Sequence, residues 1–88
     1  LYAEDPEKGF LPSTGRLWAL RFPQGEGVRI DTGVEEGDEV TPFYDPMIAK
    51  VITHAPTREE ALSALAEALT GTVVAGPRTN AAFLTALA

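Results

Sequence analysis

Apolar and polar positions first fall into a regular pattern between Arg16 and Thr32. Arg16-Leu17-Trp18-Ala19-Leu20-Arg21-Phe22 is apolar enough to predict one largely covered strand. Pro23 ends it, because proline cannot donate to a ladder. Trp18 lies inside this run and is read as a core residue. After a turn at Gln24–Gly27, Val28-Arg29-Ile30-Asp31-Thr32 alternates with the period of a half-buried strand. That alternation places Arg29 and Asp31 on the face opposite Val28 and Ile30. Glu35-Glu36-Gly37-Asp38-Glu39 predicts an acidic hairpin tip between Val34 and Val40, with Gly37 supplying a positive φ. Thr41 to Pro46 is irregular, since Pro42 and Pro46 each restrict the residue before them. Met47 to His54, with Ile48, Val51 and Ile52, reads as a further strand rich in β-branched residues.

The period then changes. Thr57-Arg58-Glu59-Glu60 is a capping box: the Thr57 hydroxyl accepts from the Glu60 N–H while the Glu60 carboxylate reaches back. Ala61, Leu62, Leu65, Ala66 and Leu69 follow at helical spacing, predicting an amphipathic helix of about 13 residues that stops near Gly71. Thr72–Ala75 is a short strand closed by Gly76-Pro77, and Thr79 or Asn80 caps a last helix over Ala81–Leu87. Pro6 to Gly15, with two prolines and two glycines, is a loop in which Phe10 and Leu11 tuck against the body. Leu1–Asp5 reads as the tail of a strand. The order β, β, β, β, α, β, α predicts an α+β domain with a small, mainly antiparallel sheet and two helices. Both ends look like cuts through a longer protein, so the expectation is one domain over 1–88 within a larger chain. Cutting away neighbouring elements would expose sheet edge and apolar surface.

Composition narrows the function. Thirteen acids against seven bases, a net charge of −6, disfavour nucleic acid and anionic membrane as partners, since both need a basic face. Without cysteine there is no disulfide and no thiolate-held zinc, and a single His argues against a histidine metal site. No signal peptide follows Leu1 and no run approaches the roughly 20 apolar residues of a membrane span. A reducing cytoplasm suits this composition, and a mitochondrial matrix would suit it equally in a eukaryote.

Candidate chemistry is sparse. Gly25 and Gly27 belong to a short turn and lack the surroundings of a phosphate-binding loop. The carboxylates Glu35, Glu36, Asp38 and Glu39 read as a solvated turn and have no calcium-loop spacing. His54, near a strand end, reads as a surface or interface residue. Arg29 has two readings. It is a surface arginine paired with Asp31, or a guanidinium that a rigid strand presents to a carboxylate or an enolate-like oxygen. Pro42-Phe43-Tyr44-Asp45-Pro46-Met47 is stiffer than a connector requires, and Tyr44 and Asp45 either close the sheet or contribute to a site.

Five motifs in series resemble one family. Tyr2-Ala3-Glu4-Asp5-Pro6 with Phe10-Leu11-Pro12-Ser13-Thr14-Gly15 is similar to the opening of the C-terminal domain of biotin carboxylases. Gly27-Val28-Arg29-Ile30-Asp31 and Tyr44-Asp45-Pro46-Met47-Ile48-Ala49-Lys50 resemble its two central motifs, Arg58-Glu59-Glu60-Ala61 its helix start, and Gly76-Pro77-Arg78-Thr79-Asn80 its closing turn. The Asp45-Pro46 pair and the Ala-rich helix look closest to α subunits of acyl-CoA carboxylases of the methylcrotonyl- or propionyl-CoA type; urea amidolyase and pyruvate carboxylase carry similar modules. The resemblance implies part of an ATP-dependent ligase that uses bicarbonate to carboxylate N1′ of biotin held on a carrier domain. It implies that ATP and magnesium are bound by an ATP-grasp region preceding this segment, and that no cofactor or metal site lies within it. The resemblance further implies that Arg29 occupies the position that steadies the biotin ureido oxygen, that Tyr44 and Asp45 lie on the biotin side, and that Lys50 is structural. Implied partners are the rest of the carboxylase chain, the biotinyl carrier, a carboxyltransferase and a second copy, in a homodimer whose interface suits the face around His54 to Arg58. A non-catalytic docking module for a carrier or partner subunit is the alternative.

Overall fold

The computed structural model describes residues 1–42 and 45–88. Along the described chain the elements are β1 (Glu4–Asp5), a 3₁₀ turn (Pro6–Lys8), β2 (Leu11–Pro12), β3 (Gly15–Arg16), β4 (Ala19–Arg21), β5 (Val28–Thr32) and β6 (Glu39–Val40). They continue with β7 (Ala49–Thr53), α1 (Arg58–Thr70), β8 (Val73–Ala75) and α2 (Ala81–Leu87). The fold is α+β with antiparallel pairing throughout the described residues, as the sequence predicts. Its strands form four two-stranded ladders, β1–β2, β3–β6, β4–β8 and β5–β7, where one small sheet was expected.

The longest ladder is β5–β7, running from Val28 opposite Thr53 to Thr32 opposite Ala49. Its alternation separates two faces. Ala49 and Val51 turn inward with Thr53, whose hydroxyl donates to the Ala61 carbonyl of α1 at 2.8 Å. Arg29, Asp31, Lys50 and Ile52 turn outward. Helix α1 covers the inner face and packs on α2. The Thr57 hydroxyl accepts from the Glu60 N–H at 3.2 Å, the hydroxyl half of the predicted box, and the helix runs the predicted 13 residues. Leu1, Val51, Leu62, Leu65, Leu69 and Leu84 surround an apolar cavity of about 240 Å³ between β7 and the two helices.

Residues 15–21 depart from expectation. The predicted single strand divides at Leu17 and Trp18, because the chain changes partner there. β3 pairs with β6, while β4 pairs with β8. The Leu17 N–H donates to Asp38 at 2.7 Å, and the Trp18 N–H donates to Ala75 at 2.8 Å. Leu17 is fully buried in a core with Leu1, Ala3, Val40, Ile48 and Ala49. Burial of a side chain that size contributes about 1.5–3 kcal/mol. Trp18, one residue on, points the other way and is 72% exposed, so it is a surface residue and not core. Its indole lies under Arg16, with 5.6 Å from the guanidinium carbon to the ring centroid, a cation–π pair on the outer side of the break.

Two other expectations change. The acidic segment is a turn with Gly37 at φ +96°, but it carries the chain from β5 to β6 and closes no hairpin, since β6 pairs with β3. In the Pro6–Gly15 loop Phe10 packs edge to face on Phe83, with centroids 5.0 Å apart, whereas Leu11 is 61% exposed and pairs with Asp5 through its backbone. At the start of the chain Leu1–Ala3 lies antiparallel to Pro46–Ala49, held by Ala3 N–H to Pro46 at 2.8 Å and Ile48 N–H to Leu1 at 2.8 Å. On its other side, buried Asn80 accepts the Tyr2 N–H on Oδ1 at 2.8 Å and donates its own N–H to the Tyr2 carbonyl at 3.1 Å. The cap of α2 falls to Thr79, whose hydroxyl accepts from the Ala81 N–H at 3.3 Å.

Candidate functional site

The outward face of the β5–β7 ladder is fixed at both ends. At one end the His54 N–H donates to the Gly27 carbonyl at 2.8 Å. Gly27 has φ +77°, and a Cβ there would sit 2.5 Å from the His54 carbonyl oxygen. Real Cβ atoms do not come that close, so the two strands meet at Gly27 because it has no side chain. At the other end the Thr32 hydroxyl lies 2.9 Å from both the Ile48 and the Val34 carbonyl oxygens. Between these clamps Arg29 and Asp31 occupy successive outward positions, two residues apart.

The pair forms a fork. Arg29 Nε donates to Asp31 Oδ1 at 3.0 Å and Nη2 donates to Oδ2 at 3.0 Å. Those hydrogen bonds, and secondarily the Asp31 charge, raise the Arg29 pKa above its ordinary value, so its cation persists at every physiological pH. The Arg29 side chain is 73% exposed and Asp31 42%. Exposed pairs contribute little to stability, so the consequence of this one is orientation. Across the ladder Arg29 stands opposite Ile52, and Asp31 stands opposite Lys50.

Asp31 and Lys50 also line a shallow cleft of about 260 Å³ whose far wall is Met47. The Met47 N–H is held by Asp45 Oδ1 at 2.9 Å, so Asp45 shapes the turn that delivers Met47 to the cleft. Asp31, Lys50, Met47 and Asp45 thus follow one another around the Thr32 end of the ladder, and Arg29 stands one outward position further along β5. Tyr44 lies outside the described residues. Among the predicted positions only His54 is remote in character: it is exposed, and its backbone rather than its ring engages β5. Sequence reasoning missed the part played by Thr32, whose single hydroxyl ties the end of β5 to the chain entering β7 and to Val34. The signal available was a threonine ending an alternating run just before Gly33.

Elsewhere the acids do local work. Asp38 Oδ2 accepts from the Glu35 N–H at 2.8 Å, and Glu36 accepts from the Leu20 N–H at 3.2 Å. Among the described residues no group of three or more acidic or histidine side chains is placed to hold a metal, and no helix is long and apolar enough to cross a membrane.

Comparison with known proteins places this geometry in context. Residues 1–88 match the biotin carboxylase C-terminal domain family along the whole chain. The chain is 48% identical over 88 residues to the mitochondrial methylcrotonoyl-CoA carboxylase subunit alpha of Glycine max, covering all of this chain and 12% of that protein. It is 49% identical over 82 residues to the mitochondrial propionyl-CoA carboxylase alpha chain of Caenorhabditis elegans, covering 91% of this chain and 11% of that one. The biotin carboxylase domain dimer of Hydrogenobacter thermophilus 2-oxoglutarate carboxylase, solved with MgADP, ADP and bicarbonate, superimposes with a TM-score of 0.92 at 39% identity, over 96% of this chain and 18% of that one. The chain therefore spans about a tenth of the curated relatives' length.

Proposed function

The chain belongs to the biotin carboxylase C-terminal domain family, and on that premise we propose that it supplies Arg29 to the carboxylation of biotin within an ATP-dependent acyl-CoA carboxylase α subunit. In that reaction ATP and bicarbonate provide an activated carboxyl group, which N1′ of carrier-borne biotin accepts. As N1′ gives up its proton to a base elsewhere in the parent enzyme, negative charge gathers on the ureido oxygen, and a cation already aimed at that oxygen lowers the barrier to the attack that follows without reorganising. Arg29 suits the task. Its guanidinium has five N–H donors, and the two bonds to Asp31 leave three for a ligand.

The observation that carries this reading is Arg29 itself, held on a clamped five-residue strand and open to the outside. Tyr44 and Asp45 are assigned to the biotin-side wall, Asp45 by holding the Met47 turn beside the same cleft. Nucleotide and magnesium are assigned to an ATP-grasp region of the parent chain. Assembly is proposed as a homodimer working with a biotinyl carrier and a carboxyltransferase, in the cytoplasm or, in a eukaryote, in the mitochondrial matrix.

The test is Arg29→Ala in the full-length carboxylase, assayed for biotin- and bicarbonate-dependent ATP cleavage. A loss of at least about 100-fold in the biotin-dependent step is expected, the scale of removing one oxyanion donor. Turnover close to wild type would remove Arg29 from the chemistry and favour a docking module. The 88-residue chain alone, titrated with MgATP in a calorimeter, is expected to give no saturable binding; a saturable isotherm would move the nucleotide site into this segment.

A further inference from the structure

We infer that Asp31 is the positioning residue that aims Arg29, by gripping the guanidinium along its Nε–Nη2 edge so that its remaining N–H groups face the biotin ureido oxygen. The inference rests on the proposed role of Arg29 and extends it to a residue that touches no substrate. A free arginine side chain samples many rotamers, and ordering it costs conformational entropy. Arg29 is 73% exposed, and its hydrogen bonds within the described chain go to Asp31 alone, so no packing restrains it. The fork does so instead. Two parallel bonds of 3.0 Å each fix both the direction and the plane of the guanidinium, which one bond could not.

The sequence supports the arrangement through its period. Residues i and i+2 of a strand share a face, and Asp31 is the nearest outward neighbour toward the Thr32 clamp. Asp31 is held in turn by its place in the ladder opposite Lys50, so a second cation flanks the carboxylate without forming an ion pair with it. The carboxylate takes Nε and one Nη2 hydrogen. Both Nη1 hydrogens and the other Nη2 hydrogen stay unclaimed, and one hydrogen of each nitrogen forms the end-on edge suited to an oxygen acceptor.

A double-mutant cycle in the full-length carboxylase tests the inference, with free biotin as substrate. Asp31→Asn keeps the size of the side chain but replaces one acceptor oxygen and the charge. Its kcat for biotin-dependent ATP cleavage is expected to fall about tenfold, the cost of a misaimed group. Asp31→Glu, which can still fork, is expected to recover part of that loss. In an Arg29→Ala background Asp31→Asn is expected to have no further effect, because a residue acting through Arg29 has nothing left to aim. Three results would overturn the inference: Asp31→Asn within twofold of wild type, a rise in turnover that marks Asp31 as a competitor for the guanidinium, or an equal loss in both backgrounds that marks a structural role. If Arg29→Ala itself leaves turnover intact, the role of Arg29 fails and the fork with it. If Arg29→Ala is crippled while Asp31→Asn is normal, only the inference about Asp31 fails.

Discussion

Residues 15–21 and residues 28–32 lie in runs that each read as a single strand, yet one run splits between two partners and the other keeps a single partner over five residues. In the first, the change of partner at Leu17 sends a leucine fully into the core and leaves Trp18 outside. In the second, the ladder is closed by Gly27 against His54 and by Thr32 against Ile48, and every outward residue keeps its direction. The difference is one of use. A strand that changes partner stitches the core together, and a strand that keeps its partner can hold a side chain at a fixed angle for another molecule.

Experiments on the two runs should therefore separate stability from activity. The largest effect is expected from Leu17→Ala, a loss of about 3 kcal/mol in urea unfolding of the chain, because transfer and cavity terms add at a fully buried site. A loss below about 1 kcal/mol would mean that the break at Leu17 is not a core element. Next comes Gly27→Ala. A methyl 2.5 Å from the His54 carbonyl at φ +77° is expected to cost about 2 kcal/mol, and in the full-length enzyme to lower biotin-dependent turnover by tilting the strand that bears Arg29. Retained turnover alongside lost stability would show that the clamp is not needed for aim. Arg29→Ala inverts the pattern: the urea midpoint is expected to stay where it is, since the side chain is 73% exposed, while biotin-dependent turnover collapses. Smallest is Trp18→Ser, expected within about 0.5 kcal/mol of the parent. Because Trp18 is the sole tryptophan and is exposed, its emission should shift little on unfolding; a large blue-shifted native signal would return it to the core.

The Thr57 cap, the length of α1, the positive φ of Gly37 and the two faces of β5 all follow from short-range rules, and each stands in the structure. Partner choice does not follow from them. Strands of two residues such as β2 and β6 carry no periodic signal, because a pattern needs about four residues to show itself. The break at Leu17 arises from Asp38 and Ala75, residues far along the chain that compete for neighbouring N–H groups. Asn80 was legible as a helix cap, yet its amide is spent on Tyr2, since a buried backbone N–H left without an acceptor costs more than a frayed helix end. For the site, the period-2 rule placed Arg29 and Asp31 side by side, and the distances between their atoms then fixed which edge of the guanidinium is free.

The bond between Tyr2 and Asn80 spans 78 positions of the chain, and it sets a schedule. During synthesis Leu1–Ala3 can lie against Pro46–Ala49 once those residues have left the ribosome, but the Tyr2 N–H and carbonyl wait for Asn80. The entropy of closing so long a loop rises only slowly with length, so the delay is a matter of time more than of equilibrium. A nascent chain halted just before Asn80 should hold the Leu1–Ala3 segment with Tyr2 unpartnered by Asn80, open to wrong pairing and to chaperones, and release of a few more residues should close it.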